Sequence, residues 1–582
     1  MGQTTNGNVP AALGGVERSR FAAAKPANGA FAVSILIAGL LCAILTLARQ
    51  KPPELGSTTT SPAEFSLGNA LDHLRNIAIA PHPLGSTEET KVREYLLKTL
   101  AAEGLMPQVQ ELVLVGQTSD APVVVRNVVA RLEGAGNTRA VLLVAHHDTV
   151  VNSPGAGDNG ASVVALLETL RALKAGPPLR NDVIFLFTDG EECGLLGAHA
   201  FVSQHEWSSE VGLVLNFDAR GNSGPVLMFE TAGNNGWVIR EFARAAPHPF
   251  TNSIFPELYR LLPNNTDFTV FKSAGLQGLN FAFIEGHTFY HQSTDTIENL
   301  DSRSLAHLGA SVLRLTRHFG GQDLNVAAIG GDAIYFDLLG SVVVSYPRTW
   351  ALPVASLVGV LFIGIVVFAL KSRRIKVSGI LRGVSAVTVS QLTVLFFITA
   401  LAAATLRFFP DLAGPAQAMI TRCFYLASVL TIAIGAVVYR VLRNRMSLEE
   451  AMLGGLCWWF AGTIVTSVFF PGGSYLFTWP LLLMSLAHIS FFVSKHRAAR
   501  VSYLVLLSGG MLLGIILFVP VIFHTAIAVN LSLYGLPMCL LVTVVSLFLP
   551  LSGRLSISSR SRSIDSLLTS GRVVGARPYH LR

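Results

Sequence analysis

The feature that most constrains this chain is the uneven distribution of its apolar residues. Beyond Trp350 the sequence is a series of long apolar segments separated by short polar loops, whereas residues 53–320 have the mixed composition of a globular protein. A helix needs about 20 mostly apolar residues to cross the hydrocarbon core of a bilayer, so each long segment predicts a membrane span. The 582 residues are therefore expected to form a globular domain and a helical membrane region.

Eight spans are predicted. The first, 31–47, follows a polar leader that has no convincing small-x-small cleavage site, which favours a retained signal anchor over a removed signal peptide. The others are 353–370, 384–406, 423–439, 451–470, 475–493, 502–523 and 526–549, and only His524 and Thr525 separate the last two. The expected domains are an N-terminal segment (1–30), the anchor (31–47), the globular domain (60–320), a connector (321–352), a seven-helix region (353–550) and a basic tail (551–582).

Basic residues in the short loops predict how these spans are oriented. Every second loop is basic, with Lys371, Arg373, Arg374, Lys376 and Arg382 in one, Arg440, Arg443 and Arg445 in the next, and Lys495, Arg497 and Arg500 in a third. Because cytoplasmic loops carry an excess of Lys and Arg, both termini are predicted to be cytoplasmic. The globular domain is then extracytoplasmic: on the periplasmic side of a bacterial inner membrane, or in the lumen of a eukaryotic vacuole or endoplasmic reticulum.

The same distribution of charge limits the functions to be considered. The net charge of +7 lies largely in these loops and in the tail, and no basic stripe is interleaved with aromatic residues, so nucleic-acid binding is not expected. His488 is the only ionisable residue expected inside a span, without a carboxylate partner in the same span. Since ion and substrate paths through membranes use such groups, the bundle is interpreted as an anchor in contact with the lipid bilayer.

The globular domain alternates between strand and helix patterns. Strands are predicted at 123–131, 140–145, 182–187, 212–217, 225–230 and 278–283, and helices at 67–78, 88–103, 161–173, 194–203, 236–245 and 302–317. Several strands are continuously apolar, as expected where helices cover both faces of a sheet. The pattern predicts an α/β three-layer sandwich, joined to an all-α transmembrane bundle.

Five short segments concentrate His, Asp and Glu, most of them just after apolar strands. They are VLLVAHHDTV with His146, His147 and Asp148, SPGAGDNGAS with Asp158, FLFTDGEECGLLGA with Glu191 and Glu192, LVLNFDARG with Asp218, and GHTFYHQSTDTIENL with His291 and Asp295. Any one of them could be a core pair, a helix cap or a solvated turn. Together they indicate a metal site, because ligands collect beyond the carboxyl ends of the strands and buried carboxylates need a cation. Oxygen and imidazole donors without thiolates suit catalytic zinc, with manganese or cobalt as substitutes.

The order H-x-D, D-x-G-A-S, E-E-x-G-L-x-G, N-x-D and Y-H-x-x-x-D-T resembles the co-catalytic di-zinc exopeptidases, over roughly residues 65–319. The signal anchor, the trailing spans and the segment GGDAIYFDLLGSVVVSYP are similar to the branch of the vacuolar membrane proteases and endoplasmic-reticulum metallopeptidases. The resemblance implies two zinc ions per chain, a peptide substrate and a metal-bridged water.

Residue roles also follow from this resemblance. It implies that His146 and Asp218 hold one zinc, that Glu192 and His291 hold the other, and that Asp158 bridges both. Glu191 is then the general base. Asp148 is not a ligand itself, but its carboxylate orients the ligand His146. The branch often has Glu where this chain has Asp218, and the H-x-D spacing favours His146 over His147, which would face away or line the pocket. Asp267 matches a position that lines the pocket, although it could equally cap a turn.

The leading hypothesis is a membrane-anchored zinc exopeptidase, in particular an aminopeptidase. Two alternatives stay open: a catalytically silent receptor or scaffold on a peptidase fold, and a single-zinc enzyme similar to glutaminyl cyclases. The retained set of five ligands and a base favours the enzyme over the scaffold. Substrate side chain, the end of the peptide that is cut, and oligomeric state are left open.

Overall fold

The computed structural model describes residues 29–54, 61–115, 122–136, 138–327, 330–408, 417–493, 497–529 and 531–552. The predicted N-terminal segment up to residue 28, and the tail from residue 553, lie outside the described residues. Residues 37–550 form one compact unit, and residues 29–36 and 551–552 belong to another. The larger unit contains a sheet domain and a helical region. Helix α1 (Gly29–Ala48) is long and apolar enough to cross a membrane.

The globular domain is built on a central sheet of eight strands. The strands are β1 (Gln108–Val115), β2 (Pro122–Leu132), β3 (Ala140–His146), β4 (Val183–Thr188), β5 (Val211–Ala219), β6 (Leu227–Thr231), β7 (Phe250–Thr251) and β8 (Gly278–Phe283). Their order in the sheet is β1-β2-β4-β3-β5-β8-β6-β7. The four central strands, β4, β3, β5 and β8, are parallel neighbours, whereas β1, β2 and β6 pair antiparallel. The carboxyl ends of the four central strands therefore meet at one edge.

Helices cover both faces of this sheet, and the alternation of β3 shows why. Leu143 belongs to a core formed with α2 (Leu67–Ile77), α3 (Thr87–Ala102), α4 (Ala161–Lys174), α6 (Gly236–Ala245) and α9 (Ser302–Gly320). Its neighbour Leu142 belongs to a separate core with α5 (Leu196–Gln204) and α8 (Asp267–Ser273). Successive side chains of a strand point to opposite faces, so a strand buried on both faces must be apolar throughout. The predicted three-layer sandwich is confirmed.

The predicted elements of the globular domain are present with ends that differ by at most three residues, but several further elements were not predicted. They are β1, β7, α7 (Ile254–Tyr259), α8, and a separate antiparallel hairpin of β9 (Ala333–Leu338) and β10 (Val342–Pro347). Strand β1 lies at the sheet edge, where its side chains alternate between partly buried and exposed, and α7 has only six residues. Short or half-exposed elements carry a weak periodic signal.

The helical region contains α10 (Ala351–Lys371), α11 (Val377–Phe408), α12 (Gln417–Leu442), α13 (Leu448–Phe469), α14 (Ser474–Val493), α15 (Arg497–Ala528) and α16 (Gly535–Ser546). Counting α1, seven helices of the described chain are long and apolar enough to cross a membrane, and α16 is a shorter apolar helix of 12 residues. Several apolar helices of this kind fit a membrane protein.

The predicted boundary between the last two spans is wrong. Helix α15 continues through His524 and Thr525 to Ala528, and the break lies between Ala528 and Gly535. Neither His524 nor Thr525 removes a backbone hydrogen bond, so two polar side chains do not end an apolar helix. The expectation that His488 is the only ionisable residue inside a span is corrected with it, because His524 is also buried within a helix.

Candidate metal centre

The predicted ligands lie at the edge where the carboxyl ends of the parallel strands meet. His146 is the last residue of β3, and Asp218 is the penultimate residue of β5. Glu192 follows β4, and His291 follows β8 in a loop where its backbone has a φ of 60°. Asp158 comes from the loop between β3 and α4. The sheet order thus brings together five residues that are up to 145 positions apart in sequence.

The loop that carries Asp158 is held by another carboxylate. Asp295 accepts hydrogen bonds from the backbone N–H of Gly157 (2.8 Å) and of Asp158 (3.0 Å). A side chain at Gly157 would place its Cβ 2.5 Å from the backbone oxygen of Gly221, so this position requires glycine. The sequence marked Asp295 as part of a motif, but the structure shows that it fixes the Asp158 loop.

Asp158 contacts two different groups of side chains through its two oxygens. Its Oδ1 lies 3.2 Å from Nε2 of His146, which lies 3.7 Å from Oδ1 of Asp218. Its Oδ2 lies 3.3 Å from Nε2 of His291, which lies 3.0 Å from Oε1 of Glu192. In each group the three potential ligand atoms lie within 4.8 Å of one another. The Asp158 carboxylate is thus shared by two adjacent groups of potential cation ligands.

The contact between His291 and Glu192 tests whether these residues fit a cation. Their closest atoms are 3.0 Å apart, yet neither Nε2 of His291 nor Oε1 of Glu192 has a hydrogen-bond partner among the described residues. Buried polar atoms without partners are costly, and two that converge without bonding each other have the geometry of two ligands of one ion. The donors are carboxylate oxygens and imidazole nitrogens, which suit zinc. The residues therefore fit a divalent cation.

The imidazole of His146 is oriented from behind by Asp148. Nδ1 of His146 lies 3.0 Å from the backbone oxygen of Asp148 and 3.6 Å from its Oδ1. The Asp148 carboxylate also accepts the backbone N–H of Glu191 (3.1 Å) and of Glu192 (3.2 Å). Asp148 thus contacts both the imidazole and the Glu191–Glu192 turn, where the sequence predicted contact with the imidazole alone.

The buried carboxylates of this centre shift the pKa values of the side chains next to them. Burial lowers the pKa of His146, but Asp148, Asp158 and Asp218 raise it well above its ordinary value. Burial and the charge of Asp158 raise the pKa of Glu192 to about 7. So many carboxylates around one buried imidazole call for positive charge, whether from protons or from cations.

The carboxylate of Glu191 differs from that of Glu192, its neighbour in sequence. No hydrogen bond to its carboxylate is found among the described residues, whereas the Glu192 carboxylate lies against His291. Burial and the charges of Asp218 and Asp267 raise the pKa of Glu191 well above its ordinary value, although the nearby His146 opposes them. A carboxylate of raised pKa that lies beside a cation site is a suitable proton acceptor.

Two further residues border the centre. Asp267 is the first residue of α8; its Oδ2 accepts a hydrogen bond from Thr188 at the end of β4, and its Oδ1 has no partner among the described residues. Tyr259, at the end of α7, was missed by sequence reasoning. Its buried hydroxyl has no hydrogen-bond partner within the described chain, and burial with the charges of Glu230, Asp218 and Glu191 raises its pKa. The segment IFPELYR carries no motif that could have identified Tyr259.

His147, the second residue of the histidine doublet, faces away from the two groups. Its Nε2 lies 3.2 Å from Oε1 of Glu89, and Asp189 completes a buried cluster. Burial lowers the pKa of His147, but Glu89 and Asp189 raise it above its ordinary value. Arg93 also binds Glu89. His147 and Arg93 thus both contact Glu89, and these contacts connect α3 to the end of β3.

Comparison with known proteins finds a family match and several relatives. Residues 127–316 match the family model "Peptidase family M28". The chain is 30% identical over 358 residues to "Endoplasmic reticulum metallopeptidase 1" of Mus musculus, which covers 57% of this chain and 40% of that relative. It is 30% identical over 315 residues to "Vacuolar membrane protease" of Candida dubliniensis, covering 51% of this chain and 32% of the relative. The matched part is thus less than half of either relative.

Among solved structures, the chain is similar to "Aminopeptidase from Aneurinibacillus sp. strain AM-1", at 13% identity and a TM-score of 0.37, covering 46% of this chain and 95% of that one. The family match spans β3, the Asp158 loop, the Glu191–Glu192 turn, Asp218 and His291. Residues 127–316 are therefore a peptidase family M28 domain, in a chain whose relatives include endoplasmic reticulum metallopeptidase 1 and vacuolar membrane protease.

Proposed function

We propose that this chain is a membrane-anchored zinc exopeptidase that removes residues from the amino ends of peptides. The observation that carries the proposal is the position of Asp158, whose two carboxylate oxygens face two separate groups of ligands. A single metal site would need only one of these groups. The shared carboxylate supports two zinc ions per chain.

The proposed ligands divide between the two ions. His146 and Asp218 would hold one zinc, Glu192 and His291 would hold the other, and Asp158 would be shared between them. Zinc in such a site supplies Lewis acidity and lowers the pKa of water. Asp148 keeps the Nδ1 proton of His146 directed at a backbone oxygen, which leaves Nε2 free to bind.

Glu191 is the proposed general base. It accepts the proton of the attacking water and returns that proton to the nitrogen of the leaving amine. Its raised pKa supports this role, since the conjugate acid must hold the proton between the two steps. Glu192 is unavailable for the same task because its carboxylate faces His291. Asp148 binds both backbone N–H groups of the turn and so keeps the base and the ligand in fixed relation.

The charge around the centre favours the amino end of a peptide as the substrate. Asp267 and Glu191 are acidic groups beyond the proposed ligands, and Oδ1 of Asp267 has no partner among the described residues, so an α-ammonium group could donate a hydrogen bond to it. A carboxypeptidase would need a cation instead, and Arg220, two residues after Asp218, is the nearest candidate in sequence. A mixed peptide library distinguishes the two, because residues are lost from opposite ends.

The domain boundaries and the orientation in the membrane are part of the proposal. Residues 60–320 form the catalytic domain and 353–550 the helical region, joined by a connector at 321–352. Alternate basic loops support an extracytoplasmic catalytic domain with both termini in the cytoplasm. Cysteine labelling of intact vesicles at exposed positions of the catalytic domain, compared with positions near Arg443, tests this orientation.

The activity is tested with the purified full chain on peptides with free or acetylated amino ends. We expect release of the first residue from free peptides, loss of activity with a chelator, and recovery on addition of zinc. A zinc-loaded protein that cleaves nothing would favour a scaffold. Formation of pyroglutamate from amino-terminal glutamine, with no amino acid released, would favour a cyclase.

A further inference from the structure

Helix α7 joins the sheet to the helical region. It begins at Ile254, beside Gly473 of the helical region, and ends at Tyr259, whose ring packs against Phe229 of β6. The contacts at the two ends of α7 show what holds this helix in place.

At the end near the metal centre, Tyr259 connects α7 to the sheet. Its ring packs edge-on against Phe229 of β6, with ring centroids 4.9 Å apart. Its hydroxyl is buried and has no hydrogen-bond partner among the described residues. Burial raises the pKa of Tyr259, and the charges of Glu230, Asp218 and Glu191 add to this effect. A hydroxyl that has lost water and gained no partner beside a proposed catalytic site is free for a substrate.

At the other end, Ser253 contacts the loop between α13 and α14. Its Oγ donates a hydrogen bond of 2.6 Å to the backbone oxygen of Gly472. A Cβ at Gly472 would lie 2.2 Å from the backbone oxygen of Ser253, and a Cβ at Gly473 would lie 2.5 Å from Cδ1 of Ile254. At Gly472 the two backbones approach so closely that only glycine fits, whereas at Gly473 the neighbouring group is the Ile254 side chain.

Aromatic contacts extend this junction on both sides. Phe336 of β9 stacks on Tyr475 of α14, with ring centroids 4.4 Å apart and an interplanar angle of 12°. Phe255 of α7 packs edge-on against His524 of α15 at 5.7 Å. These aromatic pairs bury apolar area between the sheet domain and the helical region, and their preferred ring orientations restrict how the two parts pack. The catalytic domain is thus seated on the helical region through α7 and β9.

The start of α7 has little freedom to move independently of this junction. The backbone N–H of Ser253 donates to the backbone oxygen of Tyr335 (2.8 Å), and the backbone N–H of Tyr335 donates to Oγ of Ser253 (3.0 Å). Ser253 is therefore bonded to β9 and to the loop of the helical region at once. A six-residue helix is a short rigid element, so a shift at Ile254 is passed on to Tyr259.

We propose that the loop Pro471–Gly473 positions α7 and, through it, the pocket wall formed by Tyr259, so that the helical region is a working part of the catalytic unit rather than an anchor alone. The inference rests on the proposed peptidase function. It deepens that function by naming Gly472 and Gly473 as positioning residues. Neither contacts substrate, and both act through α7.

A graded series of glycine substitutions tests this role in the full chain in detergent or lipid nanodiscs. Gly472→Ala sets a Cβ against backbone, so the chains must separate by about 1 Å to reach ordinary contact. Gly473→Ala meets only the end of the flexible Ile254 side chain, and Gly364→Ala in α10 meets nothing within 4 Å. Because a displacement of about 1 Å can cost about a hundredfold in rate, we expect kcat/KM to fall ten- to hundredfold in Gly472→Ala and less in Gly473→Ala. Gly364→Ala should match the unmodified chain.

Two further readouts separate positioning from a general loss of structure. Zinc content should be unchanged in all three variants, and amide hydrogen exchange of residues 252–262 should become faster in the order Gly364→Ala, Gly473→Ala, Gly472→Ala. Full activity in Gly472→Ala, or lost activity without faster exchange in this segment, would overturn the inference. If Gly472→Ala does not fold, Gly473→Ala decides by the same two criteria. If the unmodified chain cleaves no peptide, the proposed function fails, while exchange still reports whether the loop holds α7.

Discussion

In the sheet domain, every residue of β3 from Ala140 to His146 is buried, whereas in the helical region large apolar side chains such as Phe396 and Val360 are about 70% exposed. The first region is apolar because its side chains pack on two faces, and the second because its outer surface suits lipid. A polar side chain in the first region therefore needs a partner, and its position is informative. In the second region a polar residue such as His524 can lie inside a helix without marking an end.

The largest effect is expected from removing the carboxylate of Asp158, which both groups of proposed ligands share. Asp158→Asn leaves a neutral side chain that cannot balance two cations, so we expect zinc to fall from two per chain to less than one. Activity should fall about ten-thousandfold or more, since metal catalysis supplies several kcal/mol to the transition state. Zinc analysis and peptide hydrolysis measure both. Asp323→Asn, at an exposed cap, is the control and should retain two zinc ions; normal zinc in Asp158→Asn would remove Asp158 from its bridging role.

Removing the base should separate catalysis from metal binding. Glu191→Gln keeps the size of the side chain but cannot accept a proton, so we expect kcat to fall by about 10² to 10⁴, the usual contribution of a general base. Zinc content should stay at two. Glu206→Gln, away from the centre, serves as the matched control. Undiminished hydrolysis by Glu191→Gln would assign the base to another residue.

A smaller effect is expected from the residue that holds the Asp158 loop. Asp295→Asn replaces one of the two oxygens that accept the N–H groups of Gly157 and Asp158 with an amide donor. Residues behind metal ligands typically contribute about 10- to 100-fold in affinity or activity, and we expect a loss in that range. Titration with a zinc chelator measures the affinity. A variant that binds zinc as tightly as the unmodified chain would show that the loop holds its shape without Asp295.

The smallest effect on catalysis is expected in the helical region away from the junction. Phe396→Ala removes an exposed side chain and should leave hydrolysis within about twofold, because it creates no cavity. The matched change in the sheet, Leu143→Ala, should lower the free energy of unfolding by about 2–5 kcal/mol. Thermal denaturation of both variants tests the contrast. Equal destabilisation would mean that Phe396 packs against protein.

The sequence predicted the site residues that lie at the ends of buried apolar strands. His146, Glu192 and Asp218 each lie at or just beyond the end of such a strand, and the sheet order brought them together with Asp158 and His291. It did not predict Tyr259, because a tyrosine in a six-residue helix has no periodic context. The partners of Asp148 were only half predicted, because its contacts with the Glu191–Glu192 turn depend on backbone geometry that no spacing encodes.

The helical region was predicted in outline only. Length and hydropathy identified the helices from α10 to α15, but the end of α15 was misplaced at His524 because polar residues were taken as a boundary. The contact of Gly472 with Ser253 joins residues 219 positions apart. A glycine in an apolar segment does not by itself indicate a close contact, because glycine occurs there for several structural reasons. The role of this loop could be inferred only from the structure.

The central claim is that two zinc ions share Asp158, and anomalous diffraction at the zinc edge from the zinc-loaded chain tests it most directly. We predict two peaks, one beside His146 and Asp218 and one beside Glu192 and His291, with the Asp158 carboxylate between them. A single peak, or two peaks away from these side chains, would contradict the account.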